Sequence, residues 1–508
     1  MLSSVDVKAE RFLHHEETVV VVGSGPAGAS ATLALLEAGV DVTLVEAGQE
    51  RGAFGLTARV GGVTIARLHR SLAPRTHGVS MTGDPATTLY EDIGPGGLTN
   101  HWSCAVPRFS RDDFADAQRA GEAFAWPIDY DDLAPWYDWI EPRLWISGSR
   151  TDVPQLPAGK IADAQELEPA WQRIADGAQL AGRAIVPVPY TYGARTTLTF
   201  SGTVFNSFTR LIQPARRSRH LTVRFGAAAI QLEWSGASRR VAAVIVRDAR
   251  TRETTRIPCR AVVLAAGAIN TTKLLLQSTG PDFPDGLGNT DGVLGRYLHD
   301  HPLGKLIVKL GSALPFLPAA YITRLSLARS IPLYAAAGLQ WSGGERLIRS
   351  VLTGRPGQLA SCGFSVFGTM APDPRNFVAL DPARTSADGT PALNLHISYP
   401  PESLETLTTT RDHVLELLER AGLRPRTDVW KIDPVGSAIH YAGTCRMHAS
   451  PRFGMLDRWS RLHAVPNVVV ADSAAFTTGP EKNPVLTAMA LAARGSRRLA
   501  EDMRTGVI

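Results

Sequence analysis

Residues 18–48, TVVVVGSGPAGASATLALLEAGVDVTLVEAG, constrain the fold of this 508-residue chain more than any other stretch. Thr18 to Val22 is an apolar, β-branched burst of the kind a strand needs when both its faces are buried. Gly23, Gly25 and Gly28 then follow in a G-x-G-x-x-G pattern. The first makes the turn, the second lets backbone approach a pyrophosphate, and the third lets helix and strand pack closely. Leu33, Leu36 and neighbouring alanines predict a helix that ends at Gly39, and VDVTLVE predicts a second strand. Glu46 stands where a carboxylate accepts bonds from ribose hydroxyls. Strand, turn, helix, strand and acid in this order point to a dinucleotide site rather than to a purely structural glycine turn. Glu46 also repels a 2′-phosphate, which disfavours NADP and leaves NAD and FAD open.

A second strand–glycine–helix unit, CRAVVLAAGAINTTKLLLQS at 259–278, comes far downstream. Before it lie LTVRFGAAAIQLEW and RVAAVIVRD, alternations that predict strands. A nucleotide domain that resumes so late is assembled from separated segments, and a chain of this length has room for roughly two to three structural units. Near the C-terminus, NVVVADSAAFTT (467–478) predicts a buried strand ending in Asp472 and Ser473. Asn483 is a competent N-cap and Pro484 suits the first helical position, so a helix is expected from there. Val485, Leu486, Met489, Leu491 and Ala492 give it a buried stripe.

Composition narrows the function class. With 44% hydrophobic and 20% charged residues and a net charge of +5 spread along the chain, the protein has an ordinary globular make-up. The densest basic run, PARRSRH at 214–220, lacks interleaved aromatics and suits a solvated loop, so no nucleic-acid partner is expected. Four cysteines (Cys104, Cys259, Cys362, Cys445) without metal spacing favour a reducing compartment, and no metal is expected. The first residues lack a signal-peptide core, and the apolar region 310–340 is broken by Arg324 and Arg329. A cytoplasmic protein with no membrane partner is the expectation.

The order of G-x-G-x-x-G, GPGGLTNHW (94–102), WPIDYDDLAPWYDWIEPRLWISG (126–148), GAINTTKLLLQS, GRYLHDHP (295–302), HYAGTCRM (440–447) and NPVLTAM (483–489) resembles the glucose–methanol–choline (GMC) oxidoreductase family. Within it, GGLTNHWSCAVPRF is most similar to the pyranose oxidase branch, and the chain resembles its shorter bacterial members, some of which oxidise C-glycosides at carbon 3. The resemblance implies an FAD enzyme that oxidises a secondary hydroxyl, at C3 or C2, of glucose or a glucoside. It implies His440 as the base that takes the hydroxyl proton and Asn483 as its partner. A histidine standing alone is more often a core residue; beside Asn483 and two nucleotide motifs, His440 reads as catalytic. By the same resemblance Gly96 and Gly97 let backbone lie against the flavin, with Asn100, His101, Trp102 and Ser103 beside them. Ala229, Asp472 and Pro484 complete the cofactor-binding set with Gly23, Gly25, Gly28 and Glu46. Covalent attachment of the flavin through His101 stays open. The tryptophan-rich segment reads as core or flavin cover, and His448 stands where the family usually has glycine.

The fold expected is α/β: a Rossmann-like FAD-binding domain from 1–115, 196–310 and 431–508, with an inserted α+β substrate-binding domain from 116–195 and 311–430. In the latter, FVALDPARTSADGTPALNLHISYP (377–400) predicts two strands of an antiparallel sheet over the flavin. The stretch 312–341 suits an entrance lining, an aglycone contact or a subunit contact. The electron acceptor is oxygen or, in a dehydrogenase of the same fold, a quinone or cytochrome. A flavin-binding protein without turnover is a third reading.

Overall fold

The computed structural model describes residues 18–508 except 51–54, 61–62, 70–71, 76, 85–86, 168, 181, 193–196, 200–202, 316–319, 324–334, 341–357 and 387–388. The expectations for the N-terminal segment 1–17 and for Arg324 and Arg329 lie outside the described residues.

Val19–Val22 is fully buried at the centre of a sheet, with parallel strands hydrogen-bonded to both its edges, Val42–Glu46 on one side and Ala261–Leu264 on the other. The sheet continues outward through Leu221–Phe225 on the first side and Val465–Val470 on the second, all parallel; Arg461–Leu462 closes one edge antiparallel. The helix Pro26–Glu37 packs against the C-terminal helix Val485–Arg504, and Ser30 Oγ donates to the carbonyl of Met489 at 2.6 Å. Such an arrangement is the Rossmann-like half of the fold. Gly226 (φ +66) splits LTVRFGAAAIQLEW into two strands: Leu221–Phe225 joins the parallel sheet, and Ala227–Ser235 begins an antiparallel meander with Arg240–Asp248 and Thr254–Pro258.

A second six-stranded sheet is wholly antiparallel, in the order Arg426–Ile432, Leu303–Pro315, Gln358–Gly368, Ala335–Gln340, Ala320–Ile322, Ile185–Pro187. The helix Pro401–Arg420 lies on it, burying Leu407, Val414, Leu417 and Leu418.

Phe377–Thr385 and Pro391–Ile397 pair antiparallel, as the sequence predicts, and with Val79–Gly83 they form a separate three-stranded sheet whose apolar face covers Ile269 and Leu298. Leu303–Pro315 spans the boundary expected at 310, and the helix Tyr130–Leu144 packs on the C-terminal helix instead of the second sheet. Leu133, Tyr137, Ile140 and Leu144 form one buried stripe, and the Tyr137 hydroxyl meets Thr487 Oγ1 at 2.8 Å. Trp136, Trp139 and Trp145 lie off that stripe at its margins; Trp126 alone of the four packs on Phe114 and Phe476. Among the described residues no helix is long and apolar enough to cross a membrane.

Candidate active site

The turn after the first strand shows why three glycines are needed there. A Cβ on Gly23 (φ +98) would lie 2.5 Å from the carbonyl oxygen of Ala265, and one on Gly28 would strike the carbonyl of Gly23. A Cβ on Gly25 would meet nothing within 4 Å, so its open face is what lets a ligand approach. Gly25 caps the helix Pro26–Glu37, which has no side-chain cap and no acid in its first turn. Its first N–H groups are therefore available to an anion. Glu46 is buried, and its carboxylate accepts from Ser24 N (3.1 Å), Ser24 Oγ (2.5 Å) and Gly48 N (2.7 Å). A carboxylate has about four acceptor positions, so one remains for a ribose hydroxyl. These residues fit FAD.

Ser24 also carries the link to the second glycine loop, since its Oγ accepts from Gly96 N at 3.1 Å. Gly96 sits at φ +90, where a Cβ would meet the Asn206 carboxamide, and Gly97 brings the loop to within 3.7 Å, Cβ position to Cα, of Gly25. Asn100 Nδ2 donates to Asp92 Oδ2 (2.9 Å), while Asn100 Oδ1 accepts from Asn206 Nδ2 (2.5 Å). His101 Nε2 lies 3.0 Å from the same Asp92 oxygen. Trp102 Nε1 donates to the carbonyl of Phe205, and Ser103 is exposed. Ser24, Asp92 and Asn206 were not legible as site residues: Ser24 is a variable position of the glycine motif, Asp92 and Asn206 belong to no motif, and only the folded loop brings them to one place.

The remaining cofactor candidates are placed as follows. Ala229 lies at a register shift in the meander strand. Asp472 turns its carboxylate into the protein, accepting from Gly267 N (2.9 Å), Thr271 Oγ1 (2.6 Å) and Ala474 N (2.9 Å), and burial pushes its pKa up to about 6. Its side chain thus ties the end of Val465–Val470 to the helix Ala268–Gln277. Pro484, not Asn483, is the N-cap residue of the C-terminal helix, a shift of one position. No side chain caps this helix either, and Asn483 is left to point elsewhere.

It points at His440. Asn483 Nδ2 and His440 Nε2 are 3.4 Å apart. The backbone N–H of His440 donates to Asp300 Oδ1 (2.8 Å), the His301 ring stands perpendicular at 5.0 Å, and Phe367 lies nearly parallel at 6.1 Å. With the amide donor facing Nε2, that nitrogen carries the lone pair. Burial, reinforced by His301, holds the imidazole pKa well below its usual value, so it is neutral at pH 7. His301 and His299 are also pushed down by burial, to about 4, and Asp300 up to about 7. His299 and His301 donate from Nδ1 to separate carbonyls, Tyr297 and Gly368. His448 accepts from Ser450 N and donates to the carbonyl of Glu122, pinning its loop. Phe367 and Tyr321, whose hydroxyl donates to Asn483 Oδ1 at 3.2 Å, both come from the second antiparallel sheet. The pair therefore lies where the two large sheets meet.

Residues 18–299 match the family model described as FAD binding domain, and residues 372–492 match that described as GMC oxidoreductase. The chain is 28% identical to 2-methyl-1,2-propanediol dehydrogenase of Mycolicibacterium austroafricanum, across 96% of this chain and 97% of the relative. It is 24% identical to C-glycoside 3-oxidase of Microbacterium trichothecenolyticum, across 96% of each. Its fold is similar to that of an FAD-dependent oxidoreductase from Chaetomium thermophilum, with a TM-score of 0.65 and 14% identity over 97% of this chain and 99% of that one.

Proposed function

The chain belongs to the GMC oxidoreductase family, FAD-dependent enzymes acting on CH–OH groups of sugars or alcohols, and on that premise we propose that it oxidises a secondary hydroxyl, at C3 or C2, of glucose or a glucoside, C-glycosides included. The observation that carries this reading is the His440–Asn483 pair, a neutral imidazole beside a carboxamide donor at the meeting of the two sheets.

Nε2 of His440 takes the proton of the substrate hydroxyl, and Nδ2 of Asn483 donates to the same oxygen as negative charge grows on it. Asp300 fixes the backbone of His440 so that the ring does not swing away. Gly23, Gly25, Glu46, Gly97, Ser103 and Ala229 would hold FAD, with the uncapped N-terminus at Pro484 lending partial positive charge. FAD supplies the hydride acceptor, which no side chain can. Asp472 and Gly96 act through backbone placement. His101, paired with Asp92, holds the loop without a covalent bond to the cofactor.

Oxygen is the proposed acceptor, with hydrogen peroxide as product; the name of the Mycolicibacterium relative favours a second reading, a dehydrogenase passing electrons to a quinone or cytochrome. The four buried cysteines suit a reducing, cytoplasmic setting. Anaerobic mixing with free sugars, O-glycosides and C-glycosides tests the substrate class through loss of flavin absorbance, with NMR of the product giving the carbon oxidised. Failure of every sugar to bleach the flavin, with diols succeeding, would overturn the substrate assignment. Re-oxidation by air against benzoquinone then separates the two acceptors.

A further inference from the structure

Tyr321 sits in the short strand Ala320–Ile322, opposite Val186 on one side and Gly338 on the other, with its side chain buried against Ala105, Leu156, Val186 and Val188. From this fixed place its hydroxyl reaches Asn483 Oδ1 at 3.2 Å. An asparagine side chain has two ends of opposite character, and only one of them helps alcohol oxidation. With Nδ2 forward, it donates to the substrate oxygen and leaves the lone pair on His440 Nε2. With Oδ1 forward, it accepts a hydrogen bond from a protonated Nε2 and repels the developing alkoxide.

We propose that Tyr321 is a positioning residue that locks the Asn483 carboxamide with its donor end toward His440 and the substrate. This rests on the role given to Asn483 above. The phenol serves because it stays protonated: burial first, and then the nearby Glu481 and Tyr190, push its ionisation far up, so it is a donor at any working pH. The titratable groups around the other end of the array are His301, whose ring stands 5.0 Å from His440, and Asp300 on the His440 N–H. The link also gives the second antiparallel sheet a part in the chemistry, since a sheet displaced by substrate would move Tyr321 and release the amide.

The test is a stopped-flow, anaerobic measurement of flavin reduction from pH 5 to 9 in the wild type, Tyr321→Phe, Asn483→Ala and the double variant, with flavin content and thermal midpoint recorded for each. Tyr321→Phe keeps the ring and removes only the donor. The expected result is roughly a tenfold slower reduction at pH 6, with the acid limb moved to higher pH because the turned carbonyl stabilises protonated Nε2. In the Asn483→Ala background the same change should have no further effect. An unchanged rate and pH profile in Tyr321→Phe, or an equal loss in both backgrounds, would overturn the proposal. If Asn483→Ala itself reduces flavin normally, the proposed role of Asn483 fails, a distinct outcome from failure of Tyr321 alone.

Discussion

Asn483 and His440 are 43 positions apart in the chain, yet Nδ2 of one stands 3.4 Å from Nε2 of the other. Each arrives on a separately anchored support: His440 on a turn whose N–H is held by buried Asp300, Asn483 on the residue before the N-cap of a helix that runs through the core. Two rigid supports meeting at one point is how a folded chain would pre-set the proposed base and donor before substrate arrives.

Asp300 makes stability depend on pH in a particular direction. Burial raises its pKa from 3.8 to about 7. Between those values the native protein holds a proton that the unfolded chain has released, so stability falls as pH rises through the window. The full penalty, on the order of 4 kcal/mol, is reached above about pH 7. Asp300→Asn keeps an acceptor for the His440 N–H and removes the titration. Its thermal midpoint relative to wild type should therefore climb between pH 5 and pH 8; a difference independent of pH would refute the ionisation of Asp300.

Gly96 cannot accept a side chain where it stands. Gly96→Ala places a methyl against the Asn206 carboxamide at φ +90. The left-handed backbone alone costs roughly 1–2 kcal/mol. Purified Gly96→Ala should carry less flavin, read from the visible-to-ultraviolet absorbance ratio, and Gly96→Ala with Asn206→Ala should recover part of it. Full flavin content in the single variant would show that the loop tolerates the clash.

His101 has its Nε2 committed to Asp92, with both side chains about nine-tenths buried. A bond from that nitrogen to the flavin would require the ring to leave its partner. Acid precipitation should leave yellow colour in the supernatant. Colour retained in the pellet would show a covalent bond and a different ring position.

Much of this was legible in the chain. The Val19–Val22 strand, the glycine turn and Glu46 follow from local chemistry alone, because a doubly buried strand must be apolar and a phosphate turn must lack side chains. The pairing of His440 with Asn483 was legible only through family resemblance. What stayed hidden were contacts created by long-range folding. Ser24 fills a variable position of the glycine motif, and Asp92 and Asn206 belong to no periodic or spaced pattern. Tyr321 lies in an apolar stretch where one tyrosine resembles any other, and its value comes from a sheet register. The pairing of the strands at 377–397 is legible as two alternations around a glycine-bearing turn, but their third partner, Val79–Gly83, is not, since alternation reports that a strand has two faces and not which strand lies beside it.

The most direct test of the whole account is the rate of anaerobic flavin reduction by an active glucoside in His440→Ala. The flavin content should equal that of the wild type while reduction slows by about 100-fold or more. Reduction at the wild-type rate would mean that the hydroxyl proton leaves by another route and that the His440–Asn483 pair is not the catalytic site.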